Sequence, residues 1–119
     1  MKITRIYTGS DGESHFEDMD MPLEEAEAAL QDKRSGRIKA SGVIFRETGG
    51  DYDLDFHNAP ERQYVIMLEG GVEITVGDGT TRKLGTGSIL LAEDTTAVLT
   101  DVLGIVVSGP RGGTKDSLP

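Results

Sequence analysis

From Arg37 onward the chain is built of short runs of β-branched and aliphatic residues: IKASGVIFRET, YDLDF, RQYVIML, VEITV, TTRKL, SILLA and VLGIVV. Gly49-Gly50, Asn58 to Pro60, Gly70-Gly71, Asp78-Gly79 and Gly85-Thr86-Gly87 separate them. Such runs between Gly, Asp and Pro joints read as strands joined by tight turns, and seven of them in about 70 residues predict a meander, sandwich or barrel. In VEITV, Val72, Ile74 and Val76 share one face and Glu73 and Thr75 the other, the period of a strand buried on one side. Asp78-Gly79 is expected to supply the positive backbone angles of a two-residue hairpin turn, making Gln63 to Leu84 two linked hairpins.

The N-terminal third reads differently. KITRIYT is a first strand ending at the turn-rich Gly9-Ser10-Asp11-Gly12, and Phe16 to Met21 alternates as a second. From Pro22 the run PLEEAEAALQDKRSG predicts the one short helix. Leu23, Ala26 and Leu30 would share a face, Glu24 and Glu25 would meet the positive helix end, and Lys33, Arg34 and Gly36 would close it. The final SGPRGGTKDSLP is polar, with nothing to bury, so one domain over residues 1–107 and a polar tail over 108–119 are expected.

Composition narrows the chemistry. Lys plus Arg number 12 against 21 for Asp plus Glu, and a formal charge of -9 repels nucleic-acid phosphates. No run approaches the roughly 18 apolar residues of a membrane span, and MKITRIYTGS lacks the apolar core of a signal peptide, so a soluble cytoplasmic protein without a membrane partner is expected. With no Cys, thiolate nucleophiles, disulfides and sulfur-ligated metals are excluded. GDG and GTG lack the context of a phosphate loop, and no Ser sits in a nucleophile elbow.

The stretch HNAPERQYVIMLEGGVEITVGDG followed by LGTGSILLAEDTT resembles the two motifs of the cupin superfamily, and more closely its small bacterial single-domain members. Gln63 and Gly70 keep the spacing between the motif's Glu and its turn Gly, and Gly85 to Leu91 is similar to the opening of the second motif. The resemblance covers about residues 37 to 96 and implies a cupin-like antiparallel β-barrel of the jelly-roll type. Departures lie at the metal ligands. His57 takes the first His place, but Ala59 holds the second, Gln63 holds the Glu place, and the last His falls near Val98 to Thr100. The resemblance therefore implies a fold without the family's metal set.

Under that reading His57 lies at the barrel mouth as a general base or hydrogen-bond donor near neutral pH, against a bland role capping the turn at Asn58 to Pro60. Gln63, on one face with Val65 and Met67, is an orienting amide or a structural partner of His57. Arg46, on one face with Ile44, offers a fork to an anionic ligand or lies at a sheet edge. His15 reads as a loop histidine able to reach the mouth, Asp53 and Asp55 as a solvated pair, and Glu93-Asp94 as turn formers at the pocket rim.

The expectation that follows is a metal-independent, cofactor-free protein whose pocket holds a small organic molecule, binding it or catalysing proton transfer of the isomerase or dehydratase type, with His57 as acid-base group, Gln63 orienting and Arg46 on an anion. A non-catalytic structural or regulatory dimer is the alternative, and a metal-dependent enzyme built on His57, His15 and carboxylates a second. A homodimer through an outer sheet face is expected because Tyr64, Ile66 and Leu68 lie opposite Val65 and Met67, more apolar surface than one core consumes.

Overall fold

The computed structural model describes residues 1–27, 31–48, 61–94 and 104–110, and these are mainly β. β1 (Lys2–Thr8) and β2 (Ser14–Asp20) form an antiparallel hairpin in continuous register from Lys2 opposite Asp20 to Thr8 opposite Ser14. Gly12, at a φ of 81°, supplies the left-handed residue of their turn. β1 also pairs in parallel with β9 (Ile89–Ala92), and β9 pairs antiparallel with β6 (Gln63–Met67). Beyond β6 come β10 (Gly104–Pro110) and, at the far edge, β5 (Gly42–Thr48), so that β10 runs parallel to both neighbours. The result is a six-stranded sheet in the order β2-β1-β9-β6-β10-β5.

Because side chains alternate across a strand, this sheet has two faces, and each carries an apolar cluster. One face carries Ile6, Val65, Met67, Leu90 and Val106. β7 (Val72–Thr75) and β8 (Thr81–Leu84) form a separate hairpin whose Ile74, Val76 and Leu84 pack onto them as the main core. Ile74 is buried and Thr75 exposed, as the alternation of VEITV requires. The opposite face carries Ile3 and Leu91, with Met19, Met21, Tyr64 and Ile89 packed around them.

Three sequence expectations are corrected. The helix over Pro22 to Gly36 is not seen: β3 (Glu24–Glu27) and β4 (Asp32–Arg34) form an antiparallel two-stranded sheet instead. Glu24 stands opposite Arg34 and Glu25 opposite Lys33, so acidic positions of one strand face basic positions of the other in register. Leu23, before this segment, is half-buried while Ala26, expected with it on a buried helix face, is exposed. Second, the connection after β7 is a three-residue loop, Gly77 to Gly79. Val76 N–H donates to Thr80 O at 2.9 Å, Gly79 N–H donates to Val76 O at 2.9 Å, and of the loop residues Gly79 alone has a positive φ, of 91°. Third, the main sheet is mixed, because its pairings of β1 with β9 and of β10 with β5 and β6 are parallel; the sheets of the described residues do not close into a barrel. β10 also continues through Ser108–Pro110, the first residues of the expected tail.

Candidate functional site

The hairpin of β3 and β4 and the second face of the main sheet enclose a pocket of about 330 Å³. Its floor is assembled from separate strands: Ile3 of β1, Tyr64 and Ile66 of β6, Ile89 of β9 and Ile105 of β10. The registers explain this meeting. Tyr64 lies opposite Leu91 on one side and Ile105 on the other, and Ile66 opposite Ile89, so the even residues of β6 bring the apolar side chains of its neighbours to one place. Met1, Met21 and Leu23 complete the apolar wall, and Lys33, Arg34 and Ser35 form a polar rim. Arg34 is held by Asp32, its Nε donating to Oδ2 at 2.8 Å. Lys33 makes no ion pair among the described residues.

Tyr64 joins the pocket to a charged cluster on the same face. Burial pushes its phenol up, the positive charge of Arg62 opposing and the negative charge of Glu93 adding to the shift. The Glu93 carboxylate, only 9% exposed, accepts from Arg5 Nε at 2.5 Å and from Arg62 Nε at 2.7 Å. Arg5 also donates to Glu17 at 3.1 Å and lies over the Tyr7 ring at 4.5 Å. Burial alone would lower the pKa of Arg5, but Glu93 and then Glu17 outweigh it and raise it. Two arginines on one nearly buried carboxylate make a fixed structural network with its hydrogen-bonding capacity taken up internally.

The expected site residues are dispersed. His57 lies outside the described residues, as do Asp53, Asp55, Ala59, Val98 and Thr100. Gln63 shares the face of Val65 and Met67, the one covered by the β7–β8 hairpin and opposite to the pocket. Arg46 shares that face but stands at the exposed edge strand, where Nη2 donates to Ser108 Oγ at 3.5 Å. The register sets Gln63 and Arg46 two strands apart and four residues offset, about 13 Å along the strand direction, so they do not converge.

His15 does not line this pocket. Its Nδ1 lies 2.8 Å from Asp78 Oδ2 and its Nε2 2.9 Å from Asp11. Carboxylates only accept, so the doubly protonated ring satisfies both, and the bonds to Asp11 and then Asp78 raise its pKa. With both nitrogens so engaged the ring is a clamp between the β1–β2 turn and the β7–β8 loop. Gly77 permits their approach, since a Cβ there would stand 3.0 Å from Ser14 N. Asp94 is a buried carboxylate to which Ser14 Oγ donates at 3.3 Å. Among the described residues no cluster of three or more His, Asp or Glu side chains is arranged to hold a metal.

The class that fold and site define is a mainly β protein with an apolar, basic-rimmed pocket on one sheet face. The chain matches no known family model, no curated protein and no solved structure.

Proposed function

We propose that the protein binds a small organic molecule, without a resident metal, in the pocket between the β3–β4 hairpin and the main sheet. One observation carries this reading: about 330 Å³ of concave space with an apolar floor and a few polar groups at one end. Sites for small ligands are built in this way. Binding is favoured over proton transfer because the described lining is mainly aliphatic and holds no His, Asp or Glu, and burial shifts its one phenol, Tyr64, upward. The acid-base step assigned to His57 is not part of this proposal.

The cupin likeness belongs to the same proposal. It is supported by the order of β6, β7, β8 and β9 and by Gly70 and Gly87, both motif glycines and both at positive φ, 80° and 86°. A cytoplasmic location is in keeping with the absence of Cys.

Thermal denaturation across a metabolite panel tests the reading. A ligand at 100 times its dissociation constant stabilises by about 2.7 kcal/mol, a readable rise in melting temperature. The rise is expected for at least one compound and is lost in Ile66→Trp, which fills the floor. A panel with no shift would favour the alternative of a non-catalytic dimer. That alternative has its own observation: Val43, Ile44 and Phe45 of edge strand β5 are 52%, 60% and 76% exposed.

A further inference from the structure

The pocket's rim has a sign opposite to that of the chain. The protein carries a formal charge of -9, a field that on the whole draws cations and repels anions. Yet Lys33 and Arg34 line the pocket, whose lining holds no acid, although Glu24 and Glu25 of β3 stand opposite Arg34 and Lys33 in the ladder. The two cations do not stand alike. Arg34 is neutralised locally by Asp32, with Nη2 to Oδ2 at 2.7 Å, whereas Lys33 makes no ion pair among the described residues. Beneath the rim the floor is aliphatic, formed by Ile3, Ile66 and Ile89.

An apolar body placed on that floor leaves its head group at the rim. A cationic head there would meet Lys33 and be repelled. A neutral head would use Ser35 at most. An anionic head pairs with Lys33 while its body removes aliphatic surface from water, so one molecule satisfies both halves of the pocket. We propose, resting on the reading of this pocket as a ligand site, that its ligand is a small amphipathic anion: a carboxylate or equivalent anionic group on an aliphatic body, its head at Lys33 and its body on Ile3, Ile66 and Ile89.

Three probes with one body and three heads test this: octanoate, octanol and octylammonium, titrated by calorimetry at low and at 0.5 M salt. Octanoate is expected to bind about ten-fold tighter than octanol, the size of one charge-assisted hydrogen bond, and octylammonium weakest of the three. The octanoate advantage shrinks at high salt. Lys33→Glu brings octanoate down to the octanol value or below, and Lys33→Gln, the milder change, removes most of the advantage. Circular dichroism identical to that of the parent shows that each variant is folded. Octanol binding as tightly as octanoate, with both lost in Ile66→Trp, would overturn the anion assignment and leave the pocket reading intact. Octanoate held with unchanged affinity by Lys33→Glu would overturn the assignment of its head to Lys33. No binding by any of the three to the parent protein would sink both readings.

Discussion

His15 is the side chain whose charge state the fold controls most openly. The bonds to Asp11 and Asp78 raise its pKa above the ordinary value of about 6.5, while Asp11 is lowered chiefly by His15 and Asp78 first by Thr80 and then by His15. The histidine's contribution to stability is therefore complete below about pH 6.5 and lost as the pH rises through the raised value. The carboxylates' contribution is complete above their ordinary value of about 3.9 and lost as the pH falls through the lowered ones. The clamp acts most strongly between about pH 4 and 6.5. The melting-temperature gap between the parent and His15→Gln should accordingly be wide at pH 5.5 and narrow at pH 9; an equal gap at both would mean that the ring is held uncharged. A second test at this scale concerns strand faces. Ile74→Asp places an unpaired carboxylate in the core and should cost about 3 kcal/mol or more in urea denaturation. Thr75→Asp, outside and losing only its 2.7 Å hydroxyl contact with Thr81, should stay within about 1 kcal/mol. The opposite order of sensitivity would shift the register of β7 by one residue.

Among the elements, the β3–β4 hairpin separates what local sequence can decide from what it cannot. Gln31, just before β4, has a φ of 51°, a left-handed angle that an L side chain adopts at a cost of about 1–2 kcal/mol. Gln31→Gly should therefore stabilise the protein by about 0.5–1 kcal/mol, net of glycine's own entropy cost, while Gln31→Val should destabilise it; chemical denaturation of the pair reads the sign. Strands with a clear period of two, such as Val72 to Thr75, were legible because burial on one side writes itself into alternate residues. The run EEAEAALQDK has the composition of a helix, and only the pairing of Glu24–Glu27 with Asp32–Arg34 across the ladder makes its ends strands. The pocket was illegible for a related reason. Ile3, Ile66, Ile89 and Ile105 meet through pairings, two parallel and one antiparallel, between segments distant in sequence, which no local pattern records. Gln63 and Tyr64 are neighbours in the chain, yet the alternation of β6 sends the first away from the pocket and the second into it.

At the scale of the molecule, β5 is among the described residues an edge strand of seven residues with neither proline nor lysine to blunt it. Antiparallel pairing of two copies about Phe45 would use the whole strand, set Arg46 opposite Ile44 of the second copy, and cover apolar residues now open to solvent. Sedimentation equilibrium should give twice the mass of one chain, and Phe45→Lys should shift the protein to monomer; a monomeric parent at high concentration would remove this interface. The placement of β10 has another outcome. Residues 104–110 separate β5 from β6, which do not pair with each other, so during synthesis residues 42–48 and 63–67 leave the ribosome with a gap between them that only a much later segment can fill. Until it does, both strands offer open hydrogen-bonding edges, the state in which nascent chains associate with each other or with holding chaperones. A nascent chain arrested before residue 104 should thus be captured rather than folded, and assembly of the sheet should follow, not accompany, elongation.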